Sequence, residues 1–383
     1  MMDVKFKLAP GHASNSDWMA PSRLRHLFWN VTHECNFACG VCFSSSGRRT
    51  PDELTTAEAT ETLRRARDAG VDTVVLSGGE PFLRPDLFEI LTCMARLGIT
   101  TRIASNGSCL TDDTLRRMAV EKLATSFQIS VDTLDPDTYE RVHGAPAQML
   151  NRALDALQLI RSHGFHTTVS ARLTPETLAG LPALLDRAAE EGWATVTVHC
   201  PLHSGRARGA WPLETDLLAL LEPACEHFVR MSRHWVIETN IPWARYHPAI
   251  RALEGRIRLA HDGCGAGRWR LAIQPNGDIT PCLCVHAPGW ILGNVRRDDL
   301  GHVFRHSPHA RALRSPWDHG LCADCPEVRR CGAGCRALAY ARTGRFDGPD
   351  EACPLRRGPA VHPLSPMPLR QCAPAPPERR DPV

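Results

Sequence analysis

The stretch CNFACGVC, residues 35–42, follows directly on the apolar run Leu27–Val31. Three thiolates at the spacing C-x3-C-x2-C, here Cys35, Cys39 and Cys42, can hold three irons of a four-iron cluster and leave the fourth without a protein ligand. An open iron of this kind can bind a small molecule and pass it an electron. A strand that ends in such a loop carries it to the place where barrel-like parallel folds keep their chemistry, the C-terminal ends of the strands.

Outward from this octet, short runs rich in Val, Ile and Thr alternate with helical patterns. The strand candidates are Leu27–Thr32, Thr73–Ser77, Thr101–Ser105, Phe127–Val131, Thr167–Leu173 and Thr195–Cys200, the kind of run that suits buried parallel strands. Between them, Thr56–Ala69 carries Ala59, Leu63 and Ala66 on one face and stops before Gly70. Arg84–Leu97 stops before Gly98, and Thr111–Lys122 opens on Thr111, Asp112 and Asp113. Asn151–His163 and Pro182–Glu191 stop before Gly164 and Gly192. Six strands alternating with helices imply a parallel sheet. A closed eight-stranded barrel needs ~250 residues, so the expected fold is α/β, a partial (β/α)6 TIM-like barrel over residues 25–232 after a flexible arm at 1–24. Glu214–Ser232 reads as its last helix. A mixed connector is expected at 233–262, a cysteine-rich unit at 263–356 and a disordered Pro-rich tail at 357–383. Within the cysteine-rich unit, Asn276-Gly277 between two β-prone runs predicts a hairpin with a type I′ turn.

Composition sets the surroundings. The 383 residues are 43% hydrophobic and 23% charged, ordinary for a soluble globular protein. A net charge of +3 gives no reason to invoke nucleic acid or an anionic membrane. No apolar stretch approaches the ~20 residues of a spanning helix. The N-terminus has no apolar signal region, so the expected location is cytoplasmic. Sixteen cysteines in such a chain point to metal ligation rather than disulfides. Eleven of them fall in two compact regions.

The second region runs Cys264, then Gly277 with twelve residues between them, Cys282 and Cys284, then Cys322, Cys325, Cys331 and Cys335 at C-x2-C-x5-C-x3-C, and finally Cys353. From the residues alone, zinc remains open: a triplet site completed by a ligand such as His33, and zinc ribbons at the C-terminal end, in a binding protein without catalysis. Taken together, however, the CxxxCxxC octet resembles the cluster loop of the radical S-adenosylmethionine (SAM) superfamily. The C-terminal spacing resembles the SPASM extension found in part of that superfamily. The resemblance implies a [4Fe-4S] cluster on Cys35, Cys39 and Cys42 whose open iron is chelated by SAM. It also implies two auxiliary iron–sulfur clusters. Cys322, Cys325, Cys331 and Cys353 would hold the second, and Cys264, Cys282 and Cys335 the first, with Cys284, a non-cysteine ligand or an open iron at its fourth corner. One departure stands out. The superfamily usually has an aromatic residue just before the third cysteine, where this chain has Val41 with Phe43 following.

Later strand ends carry further candidates. Ser77-Gly78-Gly79-Glu80-Pro81 combines two glycines that let a ligand approach the backbone with a carboxylate able to accept from an ammonium group. The resemblance assigns Gly78, Gly79 and Glu80 to the methionine amino group of SAM. The third strand ends in Asn106-Gly107, a pair common in similar enzymes. Ser130 and Asp132 share one face at the end of the fourth and can reach a ribose. Arg172, on the fifth, can pair with the methionine carboxylate. Cys200, with His199 and His203 nearby, sits at the end of the sixth and can serve as a hydrogen-atom donor or as a plain buried thiol.

Resembling enzymes cleave SAM reductively to a 5′-deoxyadenosyl radical that abstracts a substrate hydrogen atom. The electron implies a low-potential donor of flavodoxin or ferredoxin type. Auxiliary clusters that take up the remaining electron make net oxidation of a small molecule, such as a tetrapyrrole or specialised metabolite, the expected outcome. About 26 residues precede the first strand, too few for a fused peptide-binding module. A ribosomal-peptide substrate would then need a separate recognition protein. Epimerisation with Cys200 as donor is the other alternative.

Overall fold

The computed structural model describes residues 23–193, 195–199, 204–207, 235–239, 257–260, 264–285, 288–314, 322, 325, 328–345, 348, 350 and 353. The expectations for the arm, the tail, Glu214–Ser232, Cys200 and His203 lie outside these residues.

Eight strands follow one another in parallel: β1 (His26–Asn30), β2 (Thr73–Ser77), β3 (Thr100–Ser105), β4 (Ser126–Ser130), β5 (His166–Arg172), β6 (Thr195–His199), β7 (Trp235–Thr239) and β8 (Ile257–Ala260). The six strands read from the sequence are all present. The stretch expected as a connector supplies two more, because WVIET and IRLA are too short to announce a period. On the other side of β1 lies β9 (Arg270–Ile273), parallel to it in the register Leu27↔Leu271 and Trp29↔Ile273. The antiparallel strands β10 (Asp278–Thr280) and β11 (Gly293–Asn294) complete a sheet of order β11-β10-β9-β1-β2-β3-β4-β5-β6-β7-β8. The cysteine-rich region therefore begins as an extension of the barrel sheet.

Helices follow the strands where local chemistry permits. Helix α1 (Thr56–Asp68) starts in a capping box, in which Glu58 N–H donates to the Thr55 hydroxyl at 3.3 Å and Thr55 N–H to the Glu58 carboxylate at 2.8 Å. Helices α2 (Leu87–Arg96), α3 (Asp112–Val120) and α5 (Met149–Ser162) fall close to their expected positions. Helix α4 (Pro136–His143) was not foreseen. Helices α6 (Pro175–Leu178) and α7 (Leu181–Glu191) close this series. Four short helices, α8 (Leu300–His306), α9 (Pro308–Arg314), α10 (Val328–Cys331) and α11 (Arg336–Thr343), belong to the cysteine-rich region. None of the helices described is long and apolar enough to cross a membrane.

Strand alternation divides the sheet into two faces. Leu27, Trp29 and Val31 of the β1 segment are fully buried in one core with Ala59, Leu63 and Ala66 of α1, and each large side chain buried there contributes about 1.5–3 kcal/mol. Leu271, Ile273 and Ile279 join the same core, so β9 and β10 are held by packing as well as by hydrogen bonds. The opposite face is polar at its C-terminal end, where Asn30 stands beside Ser77, Ser130 beside Ser170, and Arg172 beside His199. A second, small core of Ala266, Val285 and Leu313 packs against Cys264, Cys282 and Trp290.

The β9–β10 hairpin exists, but its turn differs from the expected type I′. Gly277 N–H donates to the Gln274 carbonyl at 2.9 Å, and only Gly277 has a positive φ, +87°. Type I′ needs φ > 0 at both central residues, whereas Pro275 fixes a negative φ and favours a type I turn followed by a left-handed glycine. A Cβ at Gly277 would also press within 3.0 Å of Leu54 and Val295. Gly277→Ala is therefore expected to cost about 1–2 kcal/mol, seen as a lower urea midpoint at unchanged slope.

Candidate functional site

The cysteine octet is held almost wholly through its backbone. Gly79 N–H donates to Thr32 O at 2.8 Å and Glu80 N–H to Glu34 O at 2.7 Å, so the end of β2 grips the loop as it leaves β1. Cys35 N–H bonds Gly47 O at 2.8 Å, and Gly40 N–H bonds Val142 O at 3.0 Å at the end of α4. Arg206 reaches over from beyond β6, its Nε donating to Cys39 O at 2.8 Å and its Nη1 to Ser46 O at 2.7 Å. This geometry gives the two glycines a role in the loop's own packing. A Cβ at Gly78 would lie 2.6 Å from Thr32 O, and one at Gly79 would overlap the Glu34 carbonyl. The close approach they permit is that of the cluster loop itself.

Glu80 is likewise turned inward. It is fully buried and accepts from Asn106 N–H at 2.8 Å, Phe82 N–H at 3.2 Å and the Ser105 hydroxyl at 2.9 Å. Its carboxylate thus fastens the Gly78–Glu80 loop to the end of β3. Burial pushes its pKa up to about 7, because its neutral donors offset only part of the desolvation cost. Asn106 in turn donates through its side chain to Asn36 Oδ1 at 2.9 Å, inside the octet.

Asp132 and Arg172, foreseen separately, are one unit. The Asp132 carboxylate is buried and accepts from Arg172 N–H at 2.8 Å and Arg172 Nε at 3.1 Å. Sequence reasoning missed the third member, His143, the last residue of α4. Its Nε2 stands 3.3 Å from Asp132 Oδ2 and its Nδ1 3.7 Å from Cys39 Sγ. Burial alone would raise the Asp132 pKa, but Arg172 and His143 outweigh it and hold the carboxyl well below its usual range. Burial likewise opposes charge on His143, yet Asp132 and Cys39 raise its pKa. The signal for α4 was present: Asp135 caps it by accepting from Thr138 N–H at 2.8 Å, Pro136 opens it, and Gly144 ends it in the left-handed conformation. Ser130 lies on the polar face at the end of β4.

The donor set fits a metal cluster. Burial pushes the Cys35 thiol up to about 12, so only a coordinating metal would take its proton. Cys42 is half-buried, but the Ser44 hydroxyl, 3.4 Å from its sulfur, and nearby backbone N–H groups lower its pKa.

In the cysteine-rich region, Cys331-Gly332-Ala333-Gly334-Cys335 carries three successive left-handed residues, with φ of 66°, 61° and 82°. This loop splits its two cysteines between two groups. Cys331 feels the charges of Cys322 and Cys353, while Cys335 feels those of Cys264 and Cys282. Cys284 stands with the latter group, close enough to Cys282 that the pair shares one proton, which lowers Cys282 and raises Cys284. Cys284 is thus the described cysteine that stands with Cys282 and Cys335 where the spacing left one corner open. Arg270, on β9, faces all four of these sulfurs.

Comparison with known proteins agrees with this geometry. The radical SAM superfamily matches residues 29–188, and the iron-sulfur cluster-binding domain SPASM matches residues 264–326. Mycofactocin maturase MftC of Mycobacterium tuberculosis is 29% identical over 333 residues, spanning 85% of this chain and 82% of its own. The AdoMet-dependent heme synthase of Methanosarcina barkeri is 26% identical over 353 residues, 87% of this chain and 97% of its own. The crystal structure of Streptococcus suis SuiB bound to S-adenosylmethionine shares the fold, with a TM-score of 0.68 at 22% identity over 87% of this chain and 77% of that one.

The raised Glu80 pKa has a measurable sign. Between 4.5 and about 7 the folded chain holds a proton that the unfolded chain releases, so the contribution of Glu80 is full below 4.5 and fades as pH rises through about 7. Glu80→Gln is expected to flatten the fall in stability across that window, measured by urea unfolding at successive pH values.

Proposed function

Because this chain belongs to the radical SAM superfamily and carries a SPASM iron–sulfur domain, we propose that it catalyses the net oxidation of a small molecule. On this reading Cys264, Cys282, Cys284 and Cys335 would hold an auxiliary cluster able to take up the second electron. The observation that carries the proposal is the direct pairing of β9 with β1. It sets the strand that leads to Cys282 against the strand that delivers Cys35, Cys39 and Cys42.

When bound, the open-iron cluster and SAM supply a 5′-deoxyadenosyl radical on reduction by a low-potential donor of flavodoxin or ferredoxin type. The chain's own residues do the rest. Cys35, Cys39 and Cys42 hold three irons, while Arg206, Asn106 and the Gly78–Glu80 loop fix the segment that bears them. Arg172, oriented by Asp132, takes the methionine carboxylate, and Ser130 lies on the polar face for the ribose. Cys264, Cys282, Cys284 and Cys335 hold the first auxiliary cluster, and Cys322, Cys325, Cys331 and Cys353 the second. Arg270, its guanidinium 5.1 Å from the Phe28 ring centre, places a positive charge beside the first set and favours its reduced form. Domain limits near 25–232 and 263–356 remain part of this reading. None of the thirteen described cysteines is in a disulfide, which suits a reducing cytoplasm.

A second reading concerns the substrate. Mycofactocin maturase, similar over most of its length, supports a peptide. The heme synthase, similar over nearly all of its length, supports a tetrapyrrole. Anaerobic protein given dithionite, SAM and each substrate class in turn decides between them, since the true substrate raises 5′-deoxyadenosine formation above the uncoupled level.

Cys284→Ala tests the electron-acceptor role. The variant is expected to lose iron and about tenfold or more of its oxidised product while still forming 5′-deoxyadenosine. Full iron content and unchanged product yield would remove Cys284 from the ligand set.

A further inference from the structure

His143 touches two parts of the site that the chemistry uses separately. Its Nδ1 lies 3.7 Å from the Cys39 sulfur. Its Nε2 lies 3.3 Å from Asp132, the carboxylate that orients Arg172. The ring has little freedom. It is fully buried, stacked on Tyr139 at 4.1 Å between centroids, and met edge-on by Phe37 at 6.1 Å. The backbone behind it is fixed as well, because Val142 O accepts from Gly40 N–H, and a Cβ at Gly144 would lie 2.6 Å from Ala38 O. The end of α4 is therefore seated on the cysteine octet, with one imidazole between a cluster sulfur and a buried carboxylate.

We propose that His143 is a positioning residue that joins the N-terminal cluster to the SAM-binding arginine, donating Nδ1–H to the Cys39 thiolate and bracing Asp132 from its other edge. A donor to a ligand sulfur withdraws electron density and raises the cluster potential, since hydrogen bonds to the sulfurs are among the determinants of that potential. Bracing Asp132 holds the Arg172 guanidinium in one orientation before SAM arrives, which lessens the ordering cost of binding. The inference rests on Cys39 as an iron ligand and Arg172 as the carboxylate partner.

Three substitutions separate the two contacts from simple packing. His143→Phe keeps ring volume and stacking but removes both nitrogens. His143→Asn keeps a donor at the distance of Nδ1, and His143→Gln keeps one at the distance of Nε2. Redox titration of the anaerobically reconstituted full chain, followed by electron paramagnetic resonance with and without SAM, isolates the SAM-sensitive cluster. Equilibrium dialysis gives the SAM dissociation constant. The cluster potential is expected to fall in His143→Phe and His143→Gln and to stay near wild type in His143→Asn. SAM binding is expected to weaken about tenfold in His143→Phe and His143→Asn, the loss of one charge-assisted contact, and to be largely restored in His143→Gln. A His143→Phe protein with full iron, unchanged potential and unchanged SAM affinity overturns the proposal. If that variant does not load iron, the other two decide, and equal potentials in both overturn it. Wild-type protein with no SAM-sensitive signal would instead strike the assignment of the open iron beneath it.

Discussion

A loop that keeps three thiols pointed at a shared metal body cannot use those thiols to hold itself in place. The scaffold meets this constraint through the main chain. The end of β2 bonds Thr32 and Glu34, the end of α4 bonds Gly40, Gly47 bonds Cys35, and Arg206 ties the carbonyls of Cys39 and Ser46. Gly78 and Gly79 serve the same end, because any side chain there would displace the loop. Much of what is special about the mouth of this sheet follows from fixing the octet before any cofactor is bound. Preorganisation of this kind is paid for in folding and recovered in binding.

Two buried carboxylates near the octet show how little sequence separates opposite electrostatic states. Glu80 and Asp132 are both sealed from water and both richly hydrogen-bonded. The partners of Glu80 are neutral N–H and O–H groups, which soften the desolvation cost without cancelling it, and its pKa rises to about 7. Asp132 has a guanidinium and an imidazole beside it, and it remains ionised. Neutral donors act as clamps, whereas cationic ones also fix charge. Glu80 accordingly works as a fastener between loops, and Asp132 as a charge that aims Arg172.

The parts of this molecule legible in its sequence are those with a periodic or spaced signal. Val, Ile and Thr runs announced β1 to β6, glycine stops announced the helix ends, and cysteine spacing announced both metal fields. Less visible were elements whose logic lies in tertiary contact. β7 and β8 carry four or five residues each and no surrounding rhythm. Helix α4 spans eight residues, and its Asp135-Pro136 start reads equally as a turn. His143 and Arg206 matter through partners about a hundred residues or more away, which local sequence does not reveal. The hairpin turn departs from the type I′ expected of Asn276-Gly277 because Pro275 holds a negative φ inside it. Spacing leaves the fourth member of the first thiol set open, because the closeness of Cys284 to Cys282 and Cys335 belongs to the tertiary structure.

The pairing of β9 with β1 also governs the order in which this polypeptide can mature. Asn30 donates to Gln274 across 244 positions of chain, so the strand that bears the octet lacks one neighbour until most of the polypeptide has been made. During synthesis β1 presents a bare edge, with the hazards of mispairing that such edges bring. Completion of the sheet beside β1 thus waits on arrival of the segment that also carries the second cysteine region.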